Sequence, residues 1–172
     1  MDVEELRAMQ APLKARYRDD PAAATVTLKA RGTLDSEGLV CRVDAAPGTV
    51  EAGLHPATGG DGLAACSGDM LLESLVACAG VTLRAVATAL ELTVHGGTVS
   101  AEGDLDFRGT LALDKQAPVG FKDIRLRFDL DTDASAGQLE TLLKLTERYC
   151  VVYQTLKNSP GLSVSHSQRA RS

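Results

Sequence analysis

The chain has 172 residues, within the usual size of one domain built on one shared core. Hydrophobic residues make up 44% and charged residues 24%, a balance that argues against wholesale disorder, collagen-like repeats or a membrane protein. A formal net charge of −5, with 3% aromatics and no Trp, leaves neither a basic groove nor a row of rings for nucleic acid.

Val3, Leu6, Met9 and Leu13 recur at spacings of three and four, which predicts a short amphipathic helix over residues 2–18. Its acidic start lacks the basic and then apolar pattern of a secretory signal, so a reducing cytoplasm is the expected location. Asp19-Asp20-Pro21 stops this helical extension, which occupies residues 1–20. The alternating, β-branched run Thr25–Leu34 predicts a strand, and Leu39–Val43 and Thr49–Leu54 predict two more, joined through Ala46-Pro47-Gly48. A glycine-rich loop runs from His55 to Gly62 and does not match a nucleotide-binding pattern.

The segment from about Gly68 to Leu92 is apolar almost all round, which predicts a long helix buried on most of its surface. Glu73 and Arg84 interrupt it, so a core helix is preferred over a bilayer span. Thr93–Phe107, Thr110–Leu113 and Phe121–Leu130 then predict strands. A second helix is expected from Ser135 or Ala136 to Leu156, with Leu139, Leu142, Leu145, Tyr149, Val152 and Leu156 on its stripe. Leu162–Ser165 reads as a final edge strand, and 168–172 as a disordered tail. Because strands and helices do not alternate regularly, the expected class is α+β with antiparallel sheet, as a single domain over 1–172. One small domain has trouble covering so apolar a helix; burial between two subunits would solve this.

Each of the two long helices carries one cysteine. Cys78 shares a small, partly polar face with Ser67, Leu71, Ser74, Thr82 and Ala85, which leaves room for a substrate or for close helix packing. Cys150 is bracketed by Tyr149 and Tyr153. No CxxC or HxxxH spacing occurs, so a metal site is not expected and any chemistry is thiol chemistry. Cys41 fits an inward-facing strand position, and Cys66 a loop before the helix. His55, before Pro56, fits a turn, and His95 an exposed position.

The stretch Cys66-Ser67-Gly68-Asp69-Met70-Leu71-Leu72-Glu73-Ser74-Leu75-Val76-Ala77-Cys78-Ala79-Gly80-Val81-Thr82 resembles the cysteine helix of the OsmC/Ohr family, the osmotically inducible and organic-hydroperoxide-resistance proteins. Glu147-Arg148-Tyr149-Cys150-Val151-Val152-Tyr153 resembles that family's second cysteine segment. The resemblance implies an intertwined α+β homodimer with a long buried central helix. It also implies a peroxidase in which Cys78 attacks an organic hydroperoxide and Cys150 resolves the product as a disulfide. Leu71, Ser74, Leu75 and Tyr153 would line the substrate pocket. No cofactor is implied beyond an external dithiol reductant, and no nucleic-acid or membrane partner.

The chain departs from the family pattern in two places. Ser67-Gly68-Asp69 stands where the hydroperoxide branch has Asn-Pro-Glu, so Asp69, or Glu73 one turn on, would take the acidic role. Arg31, with Arg18 and Arg16 behind it, would supply the activating guanidinium. The family's Cys-Pro is Cys150-Val151 here, which marks a divergent branch. The alternative reading is a catalytically weak member that binds a small apolar ligand or serves a structural role.

Overall fold

A computed structural model describes residues 1–34, 38–45 and 48–168. Helix α1 spans Val3–Asp19 and is closed at its start by a capping box between Asp2 and Glu5. A 3-10 turn follows over Pro21–Ala24. Strands β1 (Gly32–Leu34), β2 (Cys41–Ala45), β3 (Gly48–Gly53) and β4 (Ala65–Cys66) form one sheet in that order. The first two pairings are antiparallel and the last is parallel. Helix α2 covers Ser67–Ala89, and β5 (Val94–Asp104) pairs antiparallel with β6 (Asp123–Thr132) in a second sheet. Between β5 and β6 lies the single-turn helix α3 (Phe107–Thr110). Helices α4 (Ala136–Tyr149) and α5 (Val151–Lys157) complete the fold.

The α+β class with antiparallel sheets stands, but five expected elements come out differently. Only Gly32–Leu34 of the Thr25–Leu34 run is strand; Thr25–Ala30 alternates correctly yet is exposed and pairs with no strand among the described residues, and Arg31 meets β2 only through its carbonyl, which accepts the Asp44 N–H. Thr110–Leu113 is not a strand. Asp106 accepts the Arg108 N–H and caps α3 instead, so the chain coils where it was expected to extend. Leu162–Ser165 pairs with no strand among the described residues, and Val164 is 99% exposed. Cys66 is not in a loop: it pairs with Gly53 in β4 and stands at the head of α2. The helix expected from Ser135 to Leu156 is two helices, broken at Cys150. The turn at Ala46-Pro47 and tail residues 169–172 lie outside the described residues.

The core forms where α2 packs on β5, α4 and α5. Leu83, Val86, Ala87, Val94 and Leu142 form one buried cluster, and Leu75, Ala79 and Cys150 a second. Leu142 is wholly inaccessible to solvent. Leu142→Ala should therefore cost about 2–5 kcal/mol, measured as a lower urea midpoint at fixed protein concentration. A cost below about 1 kcal/mol would show that this contact is not packed to core density.

Helix α2 is long and apolar enough to cross a bilayer by length and composition. In the single chain it buries one face, Leu75, Ala79, Leu83, Val86 and Ala87, rather than most of its surface. Val81, on the opposite side, is 72% exposed, and Leu71, one turn before Leu75, is also exposed. Among the described residues, strands β1 to β3 pair with one another and with β4 and make no extensive contact with a helix. They stand as an arm carrying exposed Leu34, with Leu39 and Leu54 exposed in the adjoining loops.

Candidate functional site

Cys78 lies in the middle of α2, one turn after Ser74 and one turn before Thr82. The turn from α4 into α5 sits against it. Cys150 has φ −73° and ψ 109°, an extended conformation between two helices, and is both the last cap of α4 and the first residue before α5. In an unbroken helix the Val151 and Val152 N–H groups would bond to the Glu147 and Arg148 carbonyls. The break frees both amides, and both lie against the Cys78 sulfur. Cys150 is 1% exposed and packed with Leu75 and Ala79, while Cys78, Val152 and Tyr153 flank this cluster. Both cysteines are free thiols.

The two thiols are tuned in opposite directions. Burial alone pushes the Cys78 thiol up, but the Val152 N–H, the Cys150 thiol, the Val151 N–H and the Thr82 hydroxyl together outweigh it. Its pKa therefore falls below the ordinary value. Cys150 moves the other way. Burial raises it most, and the neighbouring Cys78, which ionises first, raises it further. At a given pH the negative charge of the pair thus resides on Cys78, the more accessible sulfur.

A groove of about 690 Å³ opens between β6 and helices α4 and α5; neither thiol lines it, and Leu75 and Tyr153 are the residues through which it meets the two cysteines. Leu75, Ile124, Leu126, Phe128, Leu156 and Tyr153 give it an apolar part, and Lys122, Asp123, Arg127, Glu147 and Lys157 line it as well. The Tyr153 hydroxyl donates to the Glu147 carboxylate at 3.2 Å. Burial raises the Tyr153 pKa, and the Glu147 charge adds to it.

Of the residues singled out in the sequence, Cys78, Cys150, Leu75 and Tyr153 come together. Leu71 and Ser74 lie on the outward side of α2, where the Ser74 hydroxyl donates to the Met70 carbonyl. Asp69 and Glu73 are exposed on α2, and Arg31 is exposed just before β1, its carbonyl accepting the Asp44 N–H. Among the described residues these three charges make no ion pair, and none perturbs Cys78 within the single chain. His55 caps a 3-10 turn through its ring Nδ1, which accepts the Ala57 N–H, and His95 is exposed and paired with Asp133 at 2.8 Å. The groups that sequence reasoning missed are the Val151 and Val152 amides. Every residue except proline carries such a donor, so no side-chain pattern marks them.

Comparison with solved structures places the chain among related folds. An OsmC-like protein from Mycoplasma pneumoniae superposes with a TM-score of 0.65 at 14% identity, over 78% of this chain and 89% of that one. An organic hydroperoxide resistance protein from Legionella pneumophila gives 0.61 at 16% identity, over 78% and 92%. Another, from Elizabethkingia anophelis, gives 0.61 at 15% identity, over 79% and 91%. No curated protein gives a significant sequence match. The family model for OsmC-like proteins matches residues 59–165, a span that carries both cysteines, the groove and the whole α2–α5 core. On that match the chain belongs to the OsmC-like protein family.

Proposed function

We propose that the protein is a thiol peroxidase that reduces organic hydroperoxides. The observation that carries this reading is the contact between two thiols of opposite character: an accessible Cys78 with a lowered pKa, and a buried Cys150 with a raised one. Such a pair assigns the order of events. The Cys78 thiolate attacks the distal peroxide oxygen, an S–O bond forms as the O–O bond breaks, and the alkoxide leaves as an alcohol after taking a proton. Sulfur is oxidised by two electrons and the peroxide is reduced by two. Cys150 then attacks the sulfenic sulfur; the S–S bond forms, and hydroxide departs as water with the Cys150 proton. An external dithiol returns the pair to thiols by exchange.

The groove that meets the cysteine cluster at Leu75 and Tyr153 has an apolar part that suits an alkyl chain better than hydrogen peroxide. The neighbours known as organic hydroperoxide resistance proteins favour the same substrate class. The exposed side of α2 and the unsupported β1–β3 arm are surfaces that a second copy would cover, so the working form is a homodimer. Within it, Arg31, Asp69 and Glu73 are the charges available to approach a thiolate from the partner side. The proposed setting is the reducing cytoplasm, which keeps both thiols ready for turnover.

Disulfide mapping by mass spectrometry after one equivalent of alkyl hydroperoxide, beside a hydrogen peroxide control, tests the reading. A Cys78–Cys150 bridge should form within the first turnover, faster with the alkyl peroxide. If both thiols stay reduced in folded protein, the peroxidase assignment fails. The groove then favours the second reading, a binding protein for a small apolar ligand.

A further inference from the structure

The break at Cys150 contains no proline and no glycine: the local sequence is Tyr149-Cys150-Val151-Val152. Helices rarely stop and restart without one of these, unless another group enters the hydrogen-bond ladder. Here such a group is present. In an uninterrupted helix the Glu147 carbonyl would accept the Val151 N–H; instead it accepts the Gln154 side chain, Nε2 to oxygen at 2.8 Å. The ladder resumes at once on either side, with the Cys150 N–H on the Thr146 carbonyl and the Gln154 N–H on the Cys150 carbonyl, each at 2.9 Å. Gln154 thus takes the acceptor that Val151 has left, one of three helical bonds, with those of Val152 and Tyr153, that are missing at the break. Its own position is steadied by Asn158, whose Nδ2 donates to the Gln154 Oε1 at 3.2 Å.

We propose that Gln154 is a positioning residue, which holds the helix open at Cys150 by taking over the Glu147 carbonyl and so sets Cys150 against Cys78. This rests on the reading of Cys78 and Cys150 as a redox pair. Without the side-chain donor, the Glu147 carbonyl would lose its partner within the chain. Its nearest remedy is the Val151 N–H, and accepting that bond zips α4 into α5. Cys150 would then turn away from Cys78, and the Val151 and Val152 amides would leave the sulfur. The side chain acts at a distance from the reacting atoms: it touches neither thiol and neither peroxide nor reductant.

Gln154→Met keeps the length of the side chain and removes the donor; Gln154→Lys restores a donor of similar reach. The primary measurement is the equilibrium of each full-length protein with glutathione disulfide, in which the dithiol gives the Cys78–Cys150 bridge and two molecules of reduced glutathione. It reads how readily the pair closes without calling on peroxide chemistry. Gln154→Met is expected to lower the closure constant on the order of tenfold, the weight of one such hydrogen bond, and to move the pH profile of Cys78 alkylation upward. Gln154→Lys should recover most of both. Wild-type values in Gln154→Met would overturn the proposal, as would a loss that Gln154→Lys does not repair. Failure of the wild-type pair to close with glutathione disulfide would overturn it too. If alkyl hydroperoxide oxidises neither wild type nor variant, the peroxidase reading falls, while the glutathione equilibrium still decides the role of Gln154.

Discussion

Cys78→Ser is expected to bring alkyl hydroperoxide turnover down to the uncatalysed level. A thiol at its ordinary pKa is only a few per cent ionised near neutral pH, and the thiolate is the nucleophile. The Val152 and Val151 amides, the Cys150 thiol and the Thr82 hydroxyl raise that fraction by lowering the Cys78 pKa against the opposing effect of burial. A serine hydroxyl stays protonated in the same cradle and cannot be oxidised to a sulfenic acid. The pH dependence carries a definite sign. Alkylation of the wild-type protein should show a fast phase that persists below the ordinary thiol range and declines only as pH falls through the lowered Cys78 value. That phase, mapped to Cys78 by peptide mass, should vanish in Cys78→Ser, which leaves Cys41, Cys66 and Cys150; of these Cys150 should react slowly and at higher pH, because burial raises its pKa. Turnover that survives the substitution would remove Cys78 from the chemistry altogether.

How far the sequence could be read depends on what kind of interaction fixes each feature. Helix α2 was legible because an apolar run of its length has few alternatives, and its ends fall within a few residues of the expected Gly68 and Leu92. The paired cysteines were legible as types on two helices. The break between α4 and α5 was not: Leu139, Leu142, Leu145, Tyr149, Val152 and Leu156 continue a helical stripe straight through it. The interruption depends on a side-chain-to-carbonyl bond seven residues apart, from Gln154 to Glu147. The strand expected at Thr110–Leu113 failed for a related reason, since the Asp106 cap acts locally and outweighs a weak β preference.

The charged residues show the complementary case. Arg31, Asp69 and Glu73 can be named from resemblance, but a charge acquires a role only from its partner, and in the single chain all three face solvent. The activation of Cys78 seen within one chain is instead built from main-chain amides and the Thr82 hydroxyl. Thr82 did stand on the Cys78 face one turn on, so the helical period pointed to it; the amides had no such marker. Residue type predicts a reactive sulfur better than it predicts what makes that sulfur reactive.

Cys150→Ser should separate the two halves of the proposed cycle. Cys78 would lose the Cys150 thiol as a donor but keep the Val152, Val151 and Thr82 donors, and the new hydroxyl can donate in the thiol's place, so the first equivalent of alkyl hydroperoxide should still be consumed. With no second thiol to condense, the sulfenic acid would persist long enough to be trapped by a sulfenate reagent. Excess peroxide would then drive it to the sulfinic acid, which dithiols do not reduce. The expected result is one oxidation event per chain, followed by loss of reactivity that fresh reductant cannot restore. Intact-mass measurement checks this by showing one and then two added oxygens on Cys78. Replacing sulfur by oxygen changes little volume at this buried position, so the fold should survive, and loss of turnover can be assigned to the missing thiol. If Cys150→Ser instead turns over repeatedly with a dithiol, the reductant reaches the Cys78 sulfenic acid directly. The buried Cys150 would then be a packing residue beside a one-cysteine enzyme, and its raised pKa the ordinary consequence of its burial.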